Sequence, residues 1–315
     1  NSPILPLIQI DTKKDKTKNL WIHTNAIAEK IDLSSKKSLE LFDGNLESFP
    51  ILDNWQNYLS EAVLNNSKFN IGEKREAISL CINLNDHNEI INWSFHLTFV
   101  KCAFIVDDKH TEALLTRKSK TRITSRLLKP IKEYIEELDE IFEISRDFRK
   151  NQLMKGKIEI SRPSNNIESL EELFIHNPVN YSKEYLEPLN NNNCQTFLSP
   201  ILYEADSLWF NHSKEYKLNT ASYVPQNLDY INVGEIVKYS ELIDRDINLN
   251  DDGNLTFKQI VDLCEDDKRK IILHKLLTNL LRENEVVLVN KNSEISQLSN
   301  LCLSPWTLPS YDFIN

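Results

Sequence analysis

The chain has 315 residues, 40% hydrophobic and 27% charged, a balance that supports a buried core and excludes a wholly disordered polar chain. Its net charge of −10 excludes a surface that is a nucleic-acid footprint throughout, while leaving room for a local basic channel. No apolar run approaches the roughly 20 residues that span a bilayer, and the start Asn1-Ser2-Pro3-Ile4-Leu5-Pro6-Leu7 lacks the basic and small-residue features of a signal peptide.

Strand patterns come first in chain order. Leu7–Ile10 and Leu20–His23 flank a Lys-rich turn and predict a hairpin. Glu76–Leu84 alternates in strand fashion, Asn85–Asn88 reads as a turn, and Glu89–Val106 predicts one or two further strands rich in Ile, Trp, Phe and Val. Asp107-Asp108 supplies carboxylates suited to a helix amino end. Ile131, Ile135, Leu138, Ile141, Phe142 and Ile144 form an amphipathic helical stripe that ends near Met154-Lys155-Gly156. A short strand is expected over Lys157–Ile160, and helices over Phe197–Glu215, Val233–Leu242 and Phe257–Leu281. Together these predict an α+β fold: a mixed, mainly antiparallel twisted sheet with helices packed around it. A single domain over 1–315 is expected, mainly strands to residue 106 and mainly helices from 107. The five cysteines, Cys81, Cys102, Cys194, Cys264 and Cys302, show no metal-ligand spacing and read as buried thiols, so a cytoplasmic setting is expected. Asn-rich runs such as Asn190–Asn193 read as plain loops, and the absence of an initial Met suggests a piece of a longer chain.

Seven short patterns in one order resemble the catalytic (RNB) domain of the ribonuclease II / ribonuclease R family. Leu20-Trp21-Ile22-His23 is similar to that family's strand ending in His-Ile-Ala-Asp, and Phe69–Ser79, with its Gly72-Glu73-Lys74-Arg75-Glu76-Ala77-Ile78-Ser79 run, to its segment of Ser-Leu, two residues, Gly-Glu, then Arg, Ala and Ser. Asn85–Ile91 resembles the Asp-Gly turn that follows, Thr111–Leu115 the end of the next helix, and Arg149–Pro163 an Arg-rich helix running into a Gly-Ala-Ile strand. Ser199–Asp206 resembles a Glu-Met-Met-Ile-Leu-Ala-Asn-Glu helix, and Tyr223-Val224-Pro225-Gln226 the Tyr-Arg-Ser-Gln beyond it. The resemblance implies a hydrolytic 3′-to-5′ exoribonuclease on single-stranded RNA, releasing nucleoside monophosphates, with Mg²⁺ held by an Asp-rich tract.

The sequence departs from that pattern where the chemistry would be. Only Asp11 and Asp15, set among Lys13, Lys14 and Lys16, occupy the metal-tract region, and Thr24-Asn25-Ala26 replace the acid expected after His23. The tract therefore lies upstream or has been lost, and Leu303–Phe313 shows neither of the paired arginines expected after Ser-Pro. Flanking OB-fold RNA-binding domains are not visible either. The expectation is a domain incomplete at both ends, inactive alone and without confident catalytic or metal residues.

RNA-binding candidates remain. Phe49, in Phe49-Pro50-Ile51-Leu52, is the nearest match to the family's base-clamping aromatic, though such a ring also serves as a loop anchor. Lys74 and Arg75 suit phosphate contact or a solvated turn. Arg117, Lys118, Lys120, Arg122 and Arg126 form the densest positive run, against the simpler account of a solvated helix face. His23 reads as a buried or rim histidine. The main alternative is a non-catalytic relative that binds RNA or protein. A remoter one is calcium binding at Asn248–Gln259, which resembles an EF-hand loop but carries Asn248 and Gln259 where its first Asp and last Glu belong.

Overall fold

A computed structural model describes residues 4–31, 48–51, 54–117, 126–155, 157, 194–224, 230–242, 244, 246–249, 259, 285–288 and 302–310. The chain divides into two units: Asn1–Arg149 with Asn191–His212 and Ser304–Asn315, and Lys150–Asn190 with Ser213–Leu303.

The first unit is built on a sheet. The expected hairpin forms from β1 (Leu7–Thr12) and β2 (Lys18–Asn25). A short pair follows, β3 (Phe49–Ile51) with β4 (Asn54–Gln56), then helix α1 (Glu61–Ser67), capped by the Ser60 hydroxyl accepting from the Val63 N–H. Gly72, at φ +83°, turns the chain into β5 (Lys74–Leu84) and donates its N–H to the Cys102 carbonyl at 2.8 Å. The Asn85 side chain accepts from the His87 and Glu89 N–H groups, both at 2.9 Å, and makes the predicted turn into β6 (Ile90–Lys101). The sheet order is β1-β2-β5-β6, antiparallel throughout.

Strand alternation sends one set of side chains to each face. Ile10, Leu20, Ile22, Leu80, Ile82 and Leu84 share a buried face. It packs against Ile144 and Phe148 of α3 (Ile135–Met154), Ile201, Ala205 and Leu208 of α4 (Cys194–Glu215), and Trp306. Each such aliphatic side chain contributes about 1.5–3 kcal/mol on burial. Phe95 meets Trp209 and Trp306 edge-on, each at 5.1 Å between ring centroids, which closes the core beside β6. A second cluster around Ile4, Ile27, Tyr58, Leu64, Phe69 and Cys102 takes in Ala77 of β5. Helix α2 (Asp108–Thr116) starts where its carboxylates predicted: Asp107 accepts from the His110 N–H at 2.9 Å, and that bond holds its carboxyl below the usual range. The predicted amphipathic stripe packs Leu138 and Phe142 with Leu114, Leu128 and Phe197.

Helix α4 begins at Cys194, earlier than the sequence pattern indicated, and carries Pro200 within it. Neither β3–β4 nor α1 was foreseen, because strands of three residues and a helix of seven are too short for periodicity to register.

In the second unit, β7 (Ala221–Val224) pairs antiparallel with β8 (Glu285–Leu288), and Tyr223 also bridges to Leu303. Helix α5 spans Tyr230–Leu242, around the predicted Val233–Leu242. Cys302 is fully buried, which pushes its thiol up to about 11 and leaves it a packing group. The expected strand over Lys157–Ile160, beyond its first residue, lies outside the described residues, as do the turn at 250–253 and, but for Gln259, the helix at 257–281.

Candidate nucleic-acid interface

The two candidate metal carboxylates sit on the first hairpin and face different demands. Asp15 Oδ1 accepts from the Thr17 hydroxyl at 2.7 Å and the Thr17 N–H at 3.1 Å, and these bonds hold its carboxyl below the usual range. Asp11 accepts from the Gln9 amide at 3.0 Å. Glu137 lies near Asp11 and Glu140; burial first, then repulsion from those carboxylates, raises its carboxyl. Among the described residues no group of three His, Cys, Asp or Glu side chains is placed to hold a metal ion. Within the described hairpin, Asp15 is engaged by Thr17 and Asp11 by Gln9, and neither belongs to a set of acids grouped for Mg²⁺.

A cleft of about 220 Å³ opens beside the start of β5 and the end of β6. It is lined by Asn25, Lys30, Ser67, Lys74, Arg75 and Phe99, with Ala26, Asn66 and Glu76 completing the wall. Three cations stand there against one carboxylate, in a chain of net charge −10. Two of the cations are partnered. Lys30 meets Glu76 at 2.8 Å, and Arg75 meets Glu73 at 2.7 Å while donating to the Lys68 carbonyl at 3.2 Å. Arg75 thereby clamps the Gly72 turn. Lys74 has no ion pair among the described residues and stands opposite Lys101 in the β5–β6 register, a like-charge pairing that costs stability when nothing neutralises it.

Two neutral groups deepen the cleft's polarity. The Asn25 side-chain amide nitrogen and the Ser67 hydroxyl are buried without a hydrogen-bond partner among the described residues, in residues only 3% and 5% exposed. Unmade hydrogen bonds at buried groups cost about 1–3 kcal/mol each, and native folds rarely keep them without a reason. Phe99 is 73% exposed beside them, and strand alternation puts it on the same face as Lys101.

His23 is buried in the sheet. Its Nδ1 lies 2.7 Å from the Ser79 hydroxyl, which lies 2.5 Å from the Thr98 hydroxyl, which donates to the Ala77 carbonyl at 3.4 Å. If each group in the chain donates to the next, Nδ1 carries the proton and Nε2 is a bare acceptor; Nε2 has no partner among the described residues. Burial lowers the imidazole to about 4, so it is neutral near pH 7. Ser79 is fully buried, so this His–Ser contact is no nucleophilic dyad.

Of the basic run, Arg117 is partnered: its guanidinium pairs with Asp139 and donates to the Leu114 carbonyl at 3.1 Å. Arg126 is exposed, while Lys118, Lys120 and Arg122 lie outside the described residues. Phe49 pairs with Gln56 in the β3–β4 ladder, but its side chain lies outside the described residues. The interior of the EF-hand-like segment is also outside them; at its ends the Gln259 amide donates to the Asn248 carbonyl at 3.1 Å.

Sequence reasoning missed Asn25, Ser67, Phe99 and Lys101, since nothing in a lone Asn or Ser signals a missing partner. It also missed Asp206. That carboxylate is fully buried in α4 and accepts from the Trp306 and Thr307 N–H groups, both at 3.1 Å, fastening the segment after Ser304. The detectable signal was a carboxylate among apolar helix positions.

An antiparallel sheet with helices on its core face and a basic cleft at one end defines the class: an α+β domain with an anion-compatible surface. The RNB domain model matches residues 3–309, and the chain belongs to that family. No curated protein sequence matches it. Among solved structures it is similar to Mycoplasma genitalium RNase R in complex with ribose methylated single-stranded RNA, with TM-score 0.77 and 14% identity over 100% of this chain and 47% of that one. It is similar also to yeast Ssd1, a pseudonuclease, with TM-score 0.70 and 12% identity over 98% of this chain and 36% of that one. A third likeness is to an active-site mutant of the exoribonuclease Dss1 from Candida glabrata, with TM-score 0.60, 13% identity and coverage of 99% and 37%. The chain thus spans about half or less of the length of these relatives. Among the described residues no helix is long and apolar enough to cross a membrane.

Proposed function

We propose that this chain binds single-stranded RNA on an RNB fold without hydrolysing it. The observation that carries the reading is a contrast among the described residues: no three acids are grouped to hold a metal ion, while the β5–β6 cleft carries cations, unpartnered donors and an exposed ring. Phosphate contacts from Lys74 and Arg126 supply sequence-independent affinity, and an exposed aromatic ring accepts an unstacked base. Family membership and RNase R complexes with single- and double-stranded RNA support RNA as the ligand. The similarity to a pseudonuclease supports binding without cleavage.

The test incubates the chain with a labelled single-stranded oligoribonucleotide, with and without Mg²⁺, and follows length and binding together. The expected outcome is retention of full-length RNA with affinity that falls steeply as salt rises. Mg²⁺-dependent shortening from the 3′ end would instead establish a 3′-to-5′ exoribonuclease, the second reading, which family membership favours. Absence of any binding at low salt would defeat both readings.

A further inference from the structure

We propose that the β5–β6 cleft is a site for a nucleotide's terminal phosphate, with the adjoining base stacked on Phe99. The inference rests on the RNA-binding reading but makes a narrower claim. Three observations carry it.

Charge comes first. Lys30 is neutralised by Glu76 and Arg75 by Glu73, which leaves Lys74 and its cross-strand neighbour Lys101 uncompensated. A phosphomonoester carries about −1.5 to −2 charges at pH 7, whereas each phosphodiester within a strand carries one. Lys74 in the cleft wall, with Lys101 opposite it on β6 though outside the lining, suits the terminal group better than the internal one.

Hydrogen-bond capacity comes second. The Asn25 amide nitrogen and the Ser67 hydroxyl are buried donors with no acceptor among the described residues, and both residues line the cleft. A phosphate offers three strong acceptor oxygens, and a small side-chain rotation that brings either donor to the cleft surface would let an incoming group satisfy it. Phe99 comes third. A ring exposed to this degree beside a basic cleft fits the stacking that single-stranded nucleic acids use.

The full chain is titrated calorimetrically with adenosine monophosphate, adenosine and inorganic phosphate, and with an oligoribonucleotide bearing a phosphate or a hydroxyl at either end. Adenosine monophosphate should bind at least tenfold tighter than adenosine, and tighter than inorganic phosphate. Its affinity should rise as pH passes about 6, where the second phosphate proton leaves. Lys74→Glu and Ser67→Ala should each weaken adenosine monophosphate by about tenfold, the scale of one charge-assisted hydrogen bond. Ser67→Ala separates binding from folding. Its hydroxyl has no partner among the described residues, so the variant should unfold at the same or higher urea concentration while binding less. Phe99→Ser should weaken adenosine monophosphate but leave inorganic phosphate unchanged.

A gain for the phosphorylated oligonucleotide identifies a strand end as the source of the group, and binding of adenosine monophosphate alone identifies the free nucleotide. The proposal is overturned if adenosine binds as tightly as its monophosphate, or if Lys74→Glu and Ser67→Ala leave affinity unmoved. Salt-sensitive binding of hydroxyl-ended RNA without any phosphate increment would retain the RNA-binding reading and discard this one. The reverse result would do the opposite.

Discussion

The anchor around Asp206 and the cleft around Ser67 both hold buried polar atoms, and they resolve them in opposite ways. Asp206 accepts from two backbone N–H groups and lies 3.4 Å from the Thr307 hydroxyl, so its buried oxygens are matched inside the protein. Asn25 and Ser67 bury donors left unmatched among the described residues, beside a cavity that a ligand can enter. Satisfied polar burial fixes a chain segment in place. Unsatisfied polar burial at a cleft leaves donors for water or a ligand to meet. The buried His23 network lies between these cases: its Nε2 is unmatched, but the group is neutral and sealed in the sheet.

The largest effect should come from breaking the anchor. Asp206→Ala strands the Trp306 and Thr307 N–H groups in the core and opens a cavity, for an expected loss of about 3–5 kcal/mol. Urea unfolding measures it, and a loss below about 1 kcal/mol would show that the segment is held elsewhere.

Acidification should test the intermediate case. Folded His23 titrates at about 4 against an ordinary 6.5, so between those values the unfolded chain binds more protons than the folded one. Stability from this group is complete above about pH 6.5 and is lost as pH falls toward 4, by up to roughly 3 kcal/mol. His23→Gln should flatten that window in urea midpoints measured from pH 7 to 4; an unchanged slope would assign the acid sensitivity to carboxylates.

The smallest effect sharpens the contrast among cations. Arg117→Ser removes a partly exposed pair with Asp139 and should cost about 1 kcal/mol or less, with RNA affinity within twofold of the parent. Arg126→Ser, at an exposed position, should leave stability unchanged and reduce the salt dependence of RNA binding by about one phosphate contact. Fluorescence anisotropy with a single-stranded oligonucleotide reads both, and a large loss for Arg117→Ser would make that guanidinium an RNA ligand.

Sequence alone determined what local chemistry controls. The alternation in Glu76–Leu84, the Asp107 cap and the stripe from Ile131 to Ile144 each act over a few residues, so β5, α2 and α3 were legible. So was the lack of an Asp-rich tract near the first hairpin, because metal binding needs charge density that composition displays. Lys74 was legible as a phosphate candidate, but its equivalence with Arg75 was not resolved. Only the tertiary structure ties Arg75 to Glu73 and Lys68, sets Lys74 opposite Lys101, and joins Asn25, Ser67 and Phe99 at one cleft. Those residues come from β2, α1 and β6, and no local pattern encodes whether a buried donor finds its acceptor. That is decided by which distant atoms the packed chain brings within hydrogen-bond distance, or fails to.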